Sequence, residues 1–341
     1  MLAAALPPTM RAVVAEAGRC VLAPALALPA PRANELLIRV AFSAINRADT
    51  LQRLGRYAPP PGAPAALGLE AAGVVAALGA DVGRHAEAPR VGDRVMALLG
   101  GGGNAEYVAC DWRHALRVPQ GMSLRTAAAV PETFLTAFQL LHLVGRARRG
   151  ESVLVHAAGS GVGTAAVQLA AAHGMRVVAV AGADEKLATA RRLGAAAAVN
   201  YKSSADWAAE AAAAAGAGGV DLILDPVGAS MWEGNAKALA MDGRWVLFGS
   251  LGGVAVDGPL FARLMQKRAA LLSTTLRNRS DDYKAELVAA FAAAALPALA
   301  SGALAPVLDA EFALEETQLA HERMESNAGC GKILLRVSGE L

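Results

Sequence analysis

The stretch SVLVHAAGSGVGTAAVQLAAAHG, residues 152–174, decides the fold class of this chain. It begins with an apolar run that is typical of a buried parallel strand. The small-residue run AGSGVG follows at once, and TAAVQLAAAHG then has the composition of a helix. In this order, strand, glycine-rich turn and helix are the context in which a backbone binds a dinucleotide pyrophosphate. The stretch therefore predicts a dinucleotide-binding βα unit.

The glycine spacing departs from the strict G-x-G-x-x-G pattern. Counted back from Gly163, the other two positions hold Ala158 and Ser160, and additional glycines stand at 159 and 161. Small residues still let the backbone approach a pyrophosphate, and a helix N-terminus favours its charge. A tight strand–helix corner without a ligand is the alternative. The repeated strands and helices that follow favour the phosphate cradle.

The pattern of strand-like and helix-like segments changes along the 341 residues and predicts two domains. Residues 10–130 are short strand-like runs separated by Gly and Pro, which indicates an irregular β domain. Residues 131–274 alternate between strand and helix patterns, which predicts a doubly wound parallel sheet. A long helix and a last strand within 275–341 are expected to return to the first domain. Residues 1–9 lack the features of a signal peptide, and we expect a disordered extension there.

Composition and charge exclude several other classes of protein. Acidic and basic residues are mixed, and a net charge of +2 leaves no basic patch for nucleic acid or an anionic membrane. The three cysteines are far apart and suit neither a disulfide framework nor a zinc site. Gly, Pro or charge interrupts each apolar run, so no membrane span is expected. We therefore expect a cytoplasmic protein that binds neither nucleic acid nor membrane.

The end of the second strand, RVVAVAG, bears on which cofactor the unit holds. NAD-specific sites usually place Asp or Glu there, bonded to the ribose 2′-hydroxyl. This strand ends at Gly182, which leaves room for a 2′-phosphate that Lys186 and Tyr201 would line. Asp184 and Glu185 would favour NAD if either turned inward, but both suit the first turn of the next helix. NADPH is therefore expected over NADH.

A resemblance to a known family is carried by NRADTLQRLGRYAPPPGAPAALGLEAAGVV and HAAGSGVGTAAVQLA, and by PETFLTAFQLLHLVG, DGRWVLFGSLGG and PVLDAEFALEETQLAHERMESN. From Met10 to about Val337 the chain resembles the zinc-independent quinone oxidoreductases of the medium-chain dehydrogenase/reductase superfamily. The tumour-suppressor-inducible subgroup is the most similar. The resemblance implies a GroES-like catalytic domain, an inserted Rossmann domain, a cofactor cleft between them and a homodimer.

The same resemblance implies NADPH-dependent reduction of quinones. The alternative on this scaffold is reduction of other electrophilic carbonyl acceptors, namely 2-alkenals or enones. The zinc-dependent branch has cysteine and histidine where this chain has Asn46 and Leu69, and its four-cysteine lobe is reduced here to Cys110. Catalytic zinc needs three protein ligands. No metal is therefore expected, and hydride delivery to an electron-poor acceptor needs no Lewis acid.

On the acceptor side the resemblance implies Asn46 and Tyr57 as catalytic residues. Asn46 would hydrogen-bond a quinone oxygen, and Tyr57 would do the same, donate a proton or stack on the ring. The alternatives are a loop-capping amide and a surface aromatic. We expect Arg47 and Asp49 to form a local ion pair. Gly101–Gly103 are expected to form a loop with space for a bulky acceptor, or simply a turn.

On the cofactor side the glycine loop and the resemblance together predict a set of contacts. The predicted residues are Thr136, Ser160, Gly161, Val162, Gly163, Lys186, Tyr201, Phe248, Gly249, Ser250, Leu251, Leu276 and Asn327. One departure matters, because Ala183 stands where the family often has a serine or threonine that donates to the 2′-phosphate. His156, at the end of a buried strand, is expected to be a structural histidine rather than a catalytic base.

Overall fold

The structure is a computed structural model that describes residues 6–341. Residues 1–5, the larger part of the expected disordered extension 1–9, lie outside the described residues, and Thr9 already belongs to the first strand. The strands are β1 (Thr9–Glu16), β2 (Arg19–Ala27), β3 (Glu35–Ile45), β4 (Glu70–Leu78), β5 (Arg94–Leu98), β6 (Tyr107–Asp111), β7 (Ala115–Arg117), β8 (Ser152–Val155), β9 (Arg176–Ala181), β10 (Ala197–Asn200), β11 (Val220–Asp225), β12 (Leu239–Leu247), β13 (Ala270–Ser273), β14 (Leu308–Ala313) and β15 (Lys332–Arg336).

The helices connect these strands in chain order. They are α1 (Arg47–Arg53), α2 (Leu124–Ala127), α3 (Pro131–Phe138), α4 (Gly161–Ala172), α5 (Asp184–Arg192), α6 (Trp207–Ala215), α7 (Trp232–Ala238), α8 (Leu260–Gln266), α9 (Asp281–Ala300) and α10 (Thr317–Glu325). A π-helical segment, Gln139–Val144, continues from α3.

The chain divides into two compact units. Unit 1 comprises the residues up to Leu135 together with Arg277–Leu341, and unit 2 comprises Thr136–Leu276. The chain thus passes from one unit to the other at 135/136 and 276/277. The limits expected from the sequence were 130/131 and 274/275.

Unit 2 is built on a six-stranded sheet in the order β10-β9-β8-β11-β12-β13. All of its strand pairs are parallel, and β8 is buried along its whole length. The strand order reverses between β8 and β11, and in sheets of this kind ligands bind at the carboxyl ends of the strands beside such a switch point. The predicted fold class, α/β with a doubly wound parallel sheet, is confirmed for this unit.

Unit 1 contains a mixed seven-stranded sheet in the order β14-β15-β3-β4-β5-β7, with β6 paired to β3, and a separate β1–β2 pair. The eleven-residue β3 runs through its centre, and ten of its side chains are buried. The last strand, β15, pairs antiparallel with β3. The expectation that the end of the chain returns to the first domain is therefore confirmed.

The segment MWEGNAKALAMDG has a helix-like composition, but only its first part is a helix. The helix α7 ends at Ala238, and β12 begins at the next residue, Leu239, which pairs with Val220. Leu239 is 1% exposed, while Asp242 takes a left-handed backbone conformation with φ of 60°. Burial of Leu239 in the sheet therefore outweighs the helix propensity of this alanine-rich segment.

By length and composition alone, α9 is apolar enough to cross a membrane. Within unit 1, however, its Leu287, Val288 and Phe291 are buried. The Phe291 ring packs against that of Phe134, with centroids 6.4 Å apart. These apolar side chains therefore contribute to the core of unit 1.

Candidate functional site

The glycine-rich turn of unit 2 opens α4 and leaves backbone donors at its N-terminus. Ser160 is the N-cap, and its Oγ accepts the N–H of Gly163 at 3.0 Å. The Ser160 carbonyl accepts the N–H of Thr164 at 2.8 Å. Within residues 6–341, no acceptor bonds the N–H groups of Gly161 and Val162. Two N–H donors at a helix N-terminus suit a phosphate.

The turn has the geometry of a tight corner and also the open N–H groups that a phosphate cradle needs. A Cβ at Gly163 would lie 2.3 Å from the carbonyl oxygen of Ala157, which no real side chain tolerates. Ala157 itself takes a left-handed conformation with φ of 48°. Glycine at 163 therefore lets the helix start directly against the strand end, and this close start is what presents the N–H donors.

Basic and aromatic side chains gather where β8 and β9 end. A Cβ at Gly159 would lie 2.8 Å from the aliphatic stem of Lys186. A Cβ at Gly182 would lie 3.0 Å from the Tyr201 ring and 2.9 Å from Cε of Lys202. Lys186 and Tyr201, both predicted, are thus placed beside the small residues of the cradle. Lys202 was missed, although it directly follows Tyr201 in the sequence.

The acidic residues after β9 are used for structure. Asn200 Nδ2 donates to Asp184 Oδ1 at 2.8 Å, which ties the start of α5 to the end of β10. Ala183 is the N-cap and its side chain makes no capping bond, so Asp184 and Glu185 supply the negative charge of the first turn. This arrangement agrees with the structural interpretation of the two carboxylates.

The predicted residues after β12 pack against the turn that follows β11. The N–H of Phe248 donates to Asp225 O at 2.9 Å, and that of Leu251 to Pro226 O at 3.1 Å. A Cβ at Gly249 would lie 2.7 Å from Pro226 O. Ser250 is exposed, as is Leu251. These residues therefore lie at the carboxyl ends of the central strands, where the switch point is.

The remaining cofactor-side predictions are Thr136, Leu276 and Asn327. Thr136 is partly buried in α3, and Leu276, the last residue of unit 2, is buried. Asn327 belongs to unit 1, has φ of 55°, and its Oδ1 accepts from Arg47 Nη2 at 2.6 Å. Cofactor contacts from these three residues stay predictions.

A buried carboxylate organises the turns of unit 2 and was missed from the sequence. Asp225 Oδ1 accepts the N–H groups of Val227 and Gly228 at 2.6 and 3.0 Å. Its Oδ2 accepts from Asn235 Nδ2 at 2.9 Å and Trp245 Nε1 at 3.0 Å. One fully buried carboxylate thus receives four donors, and it holds the turn after β11 to α7 and β12.

His156 is a structural residue, as expected. It is 2% exposed, and its Nε2 lies 2.6 Å from Asn235 Oδ1. Its ring packs edge-on against Trp207, with centroids 5.3 Å apart. Burial lowers the pKa of His156, which favours the neutral ring.

In unit 1, Asn46 is hydrogen-bonded to both members of a buried ion pair. Lys332 Nζ lies 2.7 Å from Glu70 Oε1, and both side chains are almost fully buried. Asn46 Nδ2 donates to the same Glu70 oxygen at 2.9 Å, while Lys332 Nζ donates to Asn46 Oδ1 at 2.7 Å. Both ends of the amide are therefore occupied. The predicted contact of Asn46 with an acceptor oxygen is untested, and such a contact would compete with Glu70.

The prediction of an ion pair between Arg47 and Asp49 is wrong. Asp49 is fully buried and accepts the N–H groups of Asn46 at 2.8 Å and Gly68 at 3.1 Å. Arg47 Nη2 instead donates to Met324 O at 2.9 Å. Residues two apart on a helix point to different sides, so the two charges of α1 do not face each other. Burial raises the pKa of Asp49 to about 6.

Tyr57 lies beside an arginine that the sequence reading missed. The guanidinium carbon of Arg277 is 5.6 Å from the centroid of the Tyr57 ring. Arg277 Nε and Nη2 both donate to Gly100 O, at 2.9 and 2.8 Å. Burial raises the pKa of Tyr57, and the charge of Arg277 opposes that shift.

The glycine run that begins at Gly100 is packed rather than open. A Cβ at Gly103 would lie 2.6 Å from Glu70 O. The N–H groups of Gly102 and Gly103 donate to Ala66 O and Gly68 O at 2.9 and 3.0 Å. These glycines therefore allow close backbone approach to β4, and Gly101–Gly103 do not hold open the space for a bulky acceptor that was one expectation.

Glu132 is a second unpredicted titratable group in this region. Its backbone N–H donates to Glu70 Oε2 at 2.9 Å, and its own side chain is partly buried in the first turn of α3. Burial, then the negative charge of Glu70, raises the pKa of Glu132 to about 8, against the opposing charges of Lys332 and Arg277. Glu132 is therefore protonated at neutral pH.

Family models match both parts of the chain. Residues 32–120 match the alcohol dehydrogenase GroES-like domain. Residues 161–293 match the zinc-binding dehydrogenase model.

Curated proteins match along most of the chain. Quinone oxidoreductase from Rattus norvegicus is 30% identical over 90% of this chain and 91% of its own length. Quinone oxidoreductase-like protein 2 from Bos taurus is 32% identical over 89% and 85%. The chain belongs to the quinone oxidoreductase family of the medium-chain dehydrogenase/reductase superfamily. Unit 1 is accordingly GroES-like and unit 2 Rossmann-like, as predicted.

Solved structures share this fold along nearly the whole chain. A mycobacterial protein complexed with NADPH superposes with a TM-score of 0.84 at 28% identity, covering 96% of this chain and 100% of that one. An NAD-dependent alcohol dehydrogenase superposes with a TM-score of 0.83 at 31% identity and the same coverage. One of these neighbours is thus described with NADPH and the other as NAD-dependent.

The two positions at which the zinc-dependent branch has cysteine and histidine do not offer metal ligands in this chain. Leu69 is buried and apolar, and the Asn46 amide is already bonded at both ends. In the part of the chain that the structure describes, no three His, Cys, Asp or Glu side chains are grouped to hold a metal ion. Zinc independence itself stays a prediction.

Proposed function

We propose that this protein reduces quinones with NADPH by hydride transfer and without zinc. The observation that carries the proposal is the basic end of β9, where Lys186, Tyr201 and Lys202 surround Gly159 and Gly182 in a chain of the quinone oxidoreductase family. Two lysines beside a strand end without an inward carboxylate favour a 2′-phosphate over a 2′-hydroxyl.

The residues of unit 2 fit this cofactor. The N–H groups of Gly161 and Val162 would bind the pyrophosphate, and Lys186 and Lys202 would bind the 2′-phosphate. The bound cofactor supplies the hydride. The protein binds and orients the cofactor and stabilises the charge that develops during the reaction. Because Asn46 and Leu69 offer no thiolate or imidazole, the acceptor would be reduced without a Lewis acid.

Absorbance at 340 nm tests the proposal directly. NADPH and NADH are each mixed with 1,2-naphthoquinone and with a 2-alkenal. Faster oxidation of NADPH by the quinone supports the proposal, and an enzyme that contains no stoichiometric zinc and tolerates chelator supports the metal-free chemistry. A preference for NADH contradicts the cofactor, and alkenal turnover well above quinone turnover assigns the chain to enone reduction instead.

We also propose that two copies pair through the edge of the parallel sheet of unit 2. The strand β13 is at that edge and is mostly exposed. In the segment that precedes it, Phe261 is 79% and Met265 77% exposed, and Val254 is 86% exposed. An exposed strand edge with large apolar side chains nearby is typical of an isologous interface. Sedimentation equilibrium of Phe261→Asp, expected to be monomeric, tests it; a dimer of unchanged affinity contradicts it.

The expected location is the cytoplasm. The structure leaves Cys20, Cys110 and Cys330 as unpaired thiols, which suits a reducing compartment. Fractionation of cells that produce the protein tests this, and recovery with the membranes would contradict it.

A further inference from the structure

The strongest unexplained feature of unit 1 is a buried arginine with an unused donor. Arg277 is 4% exposed, and its Nε–Nη2 edge is bonded to the carbonyl of Gly100. Its Nη1 is buried and has no hydrogen-bond partner among the described residues. A buried guanidinium nitrogen without an acceptor is costly, so its presence points to a ligand oxygen.

The surroundings of Arg277 supply a place for that oxygen. The Tyr57 ring lies under the guanidinium, at 5.6 Å, and is partly buried. A flat aromatic side chain next to a buried cation suits an aromatic ligand that carries negative charge on oxygen. Glu132 lies in the first turn of α3, where its N–H donates to Glu70 Oε2 at 2.9 Å, and its charge acts on both Tyr57 and Arg277.

Glu132 differs from the two other carboxyl groups of this region in its partners. Glu70 accepts from Lys332, Asn46 and the N–H of Glu132. Asp49 accepts two backbone N–H groups, those of Asn46 and Gly68. Among the described residues, none hydrogen-bonds the carboxyl of Glu132.

The charges around Glu132 come from every side of the cluster. Glu70 in β4 and Asp49 in α1 favour its protonated form, while Lys332 in β15 and Arg277 favour the carboxylate. Lys284 in α9, also buried, interacts electrostatically with Glu132 as a further cation. With burial included, the protonated form prevails up to a pH of about 8, the pKa of Glu132.

We propose that Arg277, Tyr57 and Glu132 form the oxyanion site for the acceptor, an inference that rests on the proposed quinone reduction. Arg277 Nη1 donates to the acceptor oxygen as it gains negative charge, and Tyr57 supports the acceptor ring. Glu132 then gives that oxygen its proton.

The step balances in atoms and electrons. A hydride supplied by the bound cofactor would form a new C–H bond on the acceptor, and the π electron pair of the acceptor carbonyl would move onto oxygen. The O–H bond of Glu132 breaks and a new O–H bond forms on the acceptor, which leaves the hydroxyl product and a Glu132 carboxylate. Water returns a proton to Glu132 before the next turnover.

The arginine is tested without turnover, with 2-hydroxy-1,4-naphthoquinone as the probe. This compound is an anion at neutral pH, and its visible absorbance reports binding to the full chain. Arg277→Gln is expected to weaken binding at least tenfold, while Arg279→Gln, an exposed arginine two residues away, leaves it unchanged. Equal affinity of wild type and Arg277→Gln overturns the proposal. If Arg277→Gln does not fold, Arg277→Lys replaces it, and unchanged binding there has the same meaning.

The effect of the arginine on the reaction follows from the same contact. Loss of one donor from an oxyanion site lowers kcat by on the order of 10²–10³. NADPH affinity, measured by its fluorescence, is expected to be equal in wild type and Arg277→Gln. A loss of activity that is explained by lost NADPH affinity alone overturns the acceptor role.

The proton donor is tested by its titration. The cofactor-free protein is expected to show an infrared band of a protonated carboxyl group that disappears as pH rises through about 8, the pKa of Glu132. The band is expected to be absent from Glu132→Gln and present in Glu233→Gln, an exposed control. In turnover, kcat of wild type falls above that pH, and Glu132→Gln loses this dependence. An unchanged band or an unchanged pH profile in Glu132→Gln overturns the role.

These outcomes separate the site from the proposed function. If no quinone is reduced but the naphthoquinone anion binds through Arg277, quinone reduction fails and the oxyanion site stands. If quinones are reduced while neither Arg277→Gln nor Glu132→Gln changes binding, rate or titration, the site fails and quinone reduction stands.

Discussion

The two candidate sites are built in different ways. The cradle of unit 2 uses backbone N–H groups and glycines that are neighbours in sequence, with Ser160 and Gly163 in one turn. The polar cluster of unit 1 uses side chains from distant positions, with Asn46, Glu70 and Lys332 joined in one hydrogen-bonded group. A backbone site leaves a local pattern in the sequence, whereas a side-chain site assembled by the fold leaves none.

The largest expected effect comes from filling the corner of the cradle. In Gly163→Ala the new Cβ would lie 2.3 Å from Ala157 O, so the helix start must move away from β8. We expect a loss of roughly 1–3 kcal/mol of stability, as for overpacking of a core, and NADPH affinity reduced more than tenfold. Thermal unfolding with and without NADPH measures both.

Gly218→Ala is the matched control for this substitution, because a Cβ there meets nothing within 4 Å. Equal unfolding temperatures and NADPH affinities for the two variants would show that the corner is not sterically required. The close approach of the helix start to β8 would then not be needed for NADPH binding by the backbone N–H groups.

The next effect tests whether unit 2 also depends on a side-chain network. All four groups bonded to Asp225 are hydrogen-bond donors. In Asp225→Asn the side-chain NH₂ group, itself a donor, would face some of them and could not accept their hydrogen bonds. We expect a destabilisation of on the order of 1–3 kcal/mol. Asp257→Asn, in an exposed loop, is the control. Denaturant unfolding measures the change, and a result within error of the control contradicts the network.

The stability of unit 1 is expected to depend on pH through Glu132. Its pKa of about 8 lies above the ordinary value of 4.5, so the folded state binds more protons than the unfolded one between those pH values. This contribution to stability is fully present below about pH 4.5 and is lost as pH rises through about 8. Glu132→Gln removes this loss of stability. At pH 9 we therefore expect its free energy of unfolding to exceed that of wild type by about 1 kcal/mol, a value discounted for the partial exposure of the side chain.

The measurement is the unfolding temperature of both proteins at pH 5, 7 and 9. The advantage of Glu132→Gln should grow with pH, and Glu233→Gln should follow wild type throughout. A constant difference across this range would mean that Glu132 keeps an ordinary pKa in the folded protein.

A smaller effect concerns the basic end of β9. In Lys202→Ala we expect the KM for NADPH to rise about fivefold, equivalent to roughly 1 kcal/mol for one charge contact, and the KM for NADH to stay unchanged. Lys237→Ala, an exposed lysine paired with Asp206, is the control. Equal changes for both cofactors would show that Lys202 does not distinguish the 2′-phosphate, which would limit this role to Lys186.

The smallest effect is expected from the hydroxyl of Tyr57. Because reduced quinones take up protons readily and Glu132 is the proposed donor, kcat of Tyr57→Phe should fall by less than about threefold, under roughly 0.7 kcal/mol. Tyr107→Phe, in β6, is the control. A fall of more than tenfold would make the Tyr57 hydroxyl, and not Glu132, the proton donor.

The amino-acid sequence by itself determined the parts of this protein that depend on local order. The strand–glycine–helix stretch predicted the cradle, and the alternation of strand and helix patterns predicted the parallel sheet. Lys186 and Tyr201 were predicted near the end of the second strand of that sheet. The structural role of His156 followed from its place at the end of a buried strand. Each of these features depends on residues close together in the chain or on the regular period of a strand or helix.

Only the tertiary structure decided which distant side chains meet. It joined Asn46 to Glu70 and Lys332, separated Arg47 from Asp49, and brought Arg277 over Tyr57. It also ended α7 at Ala238, since the sheet buries the residue that follows. Such contacts arise from packing between elements, and the charge state of Glu132 depends on burial and on neighbours in other elements, none of which the order of residues along the chain reveals.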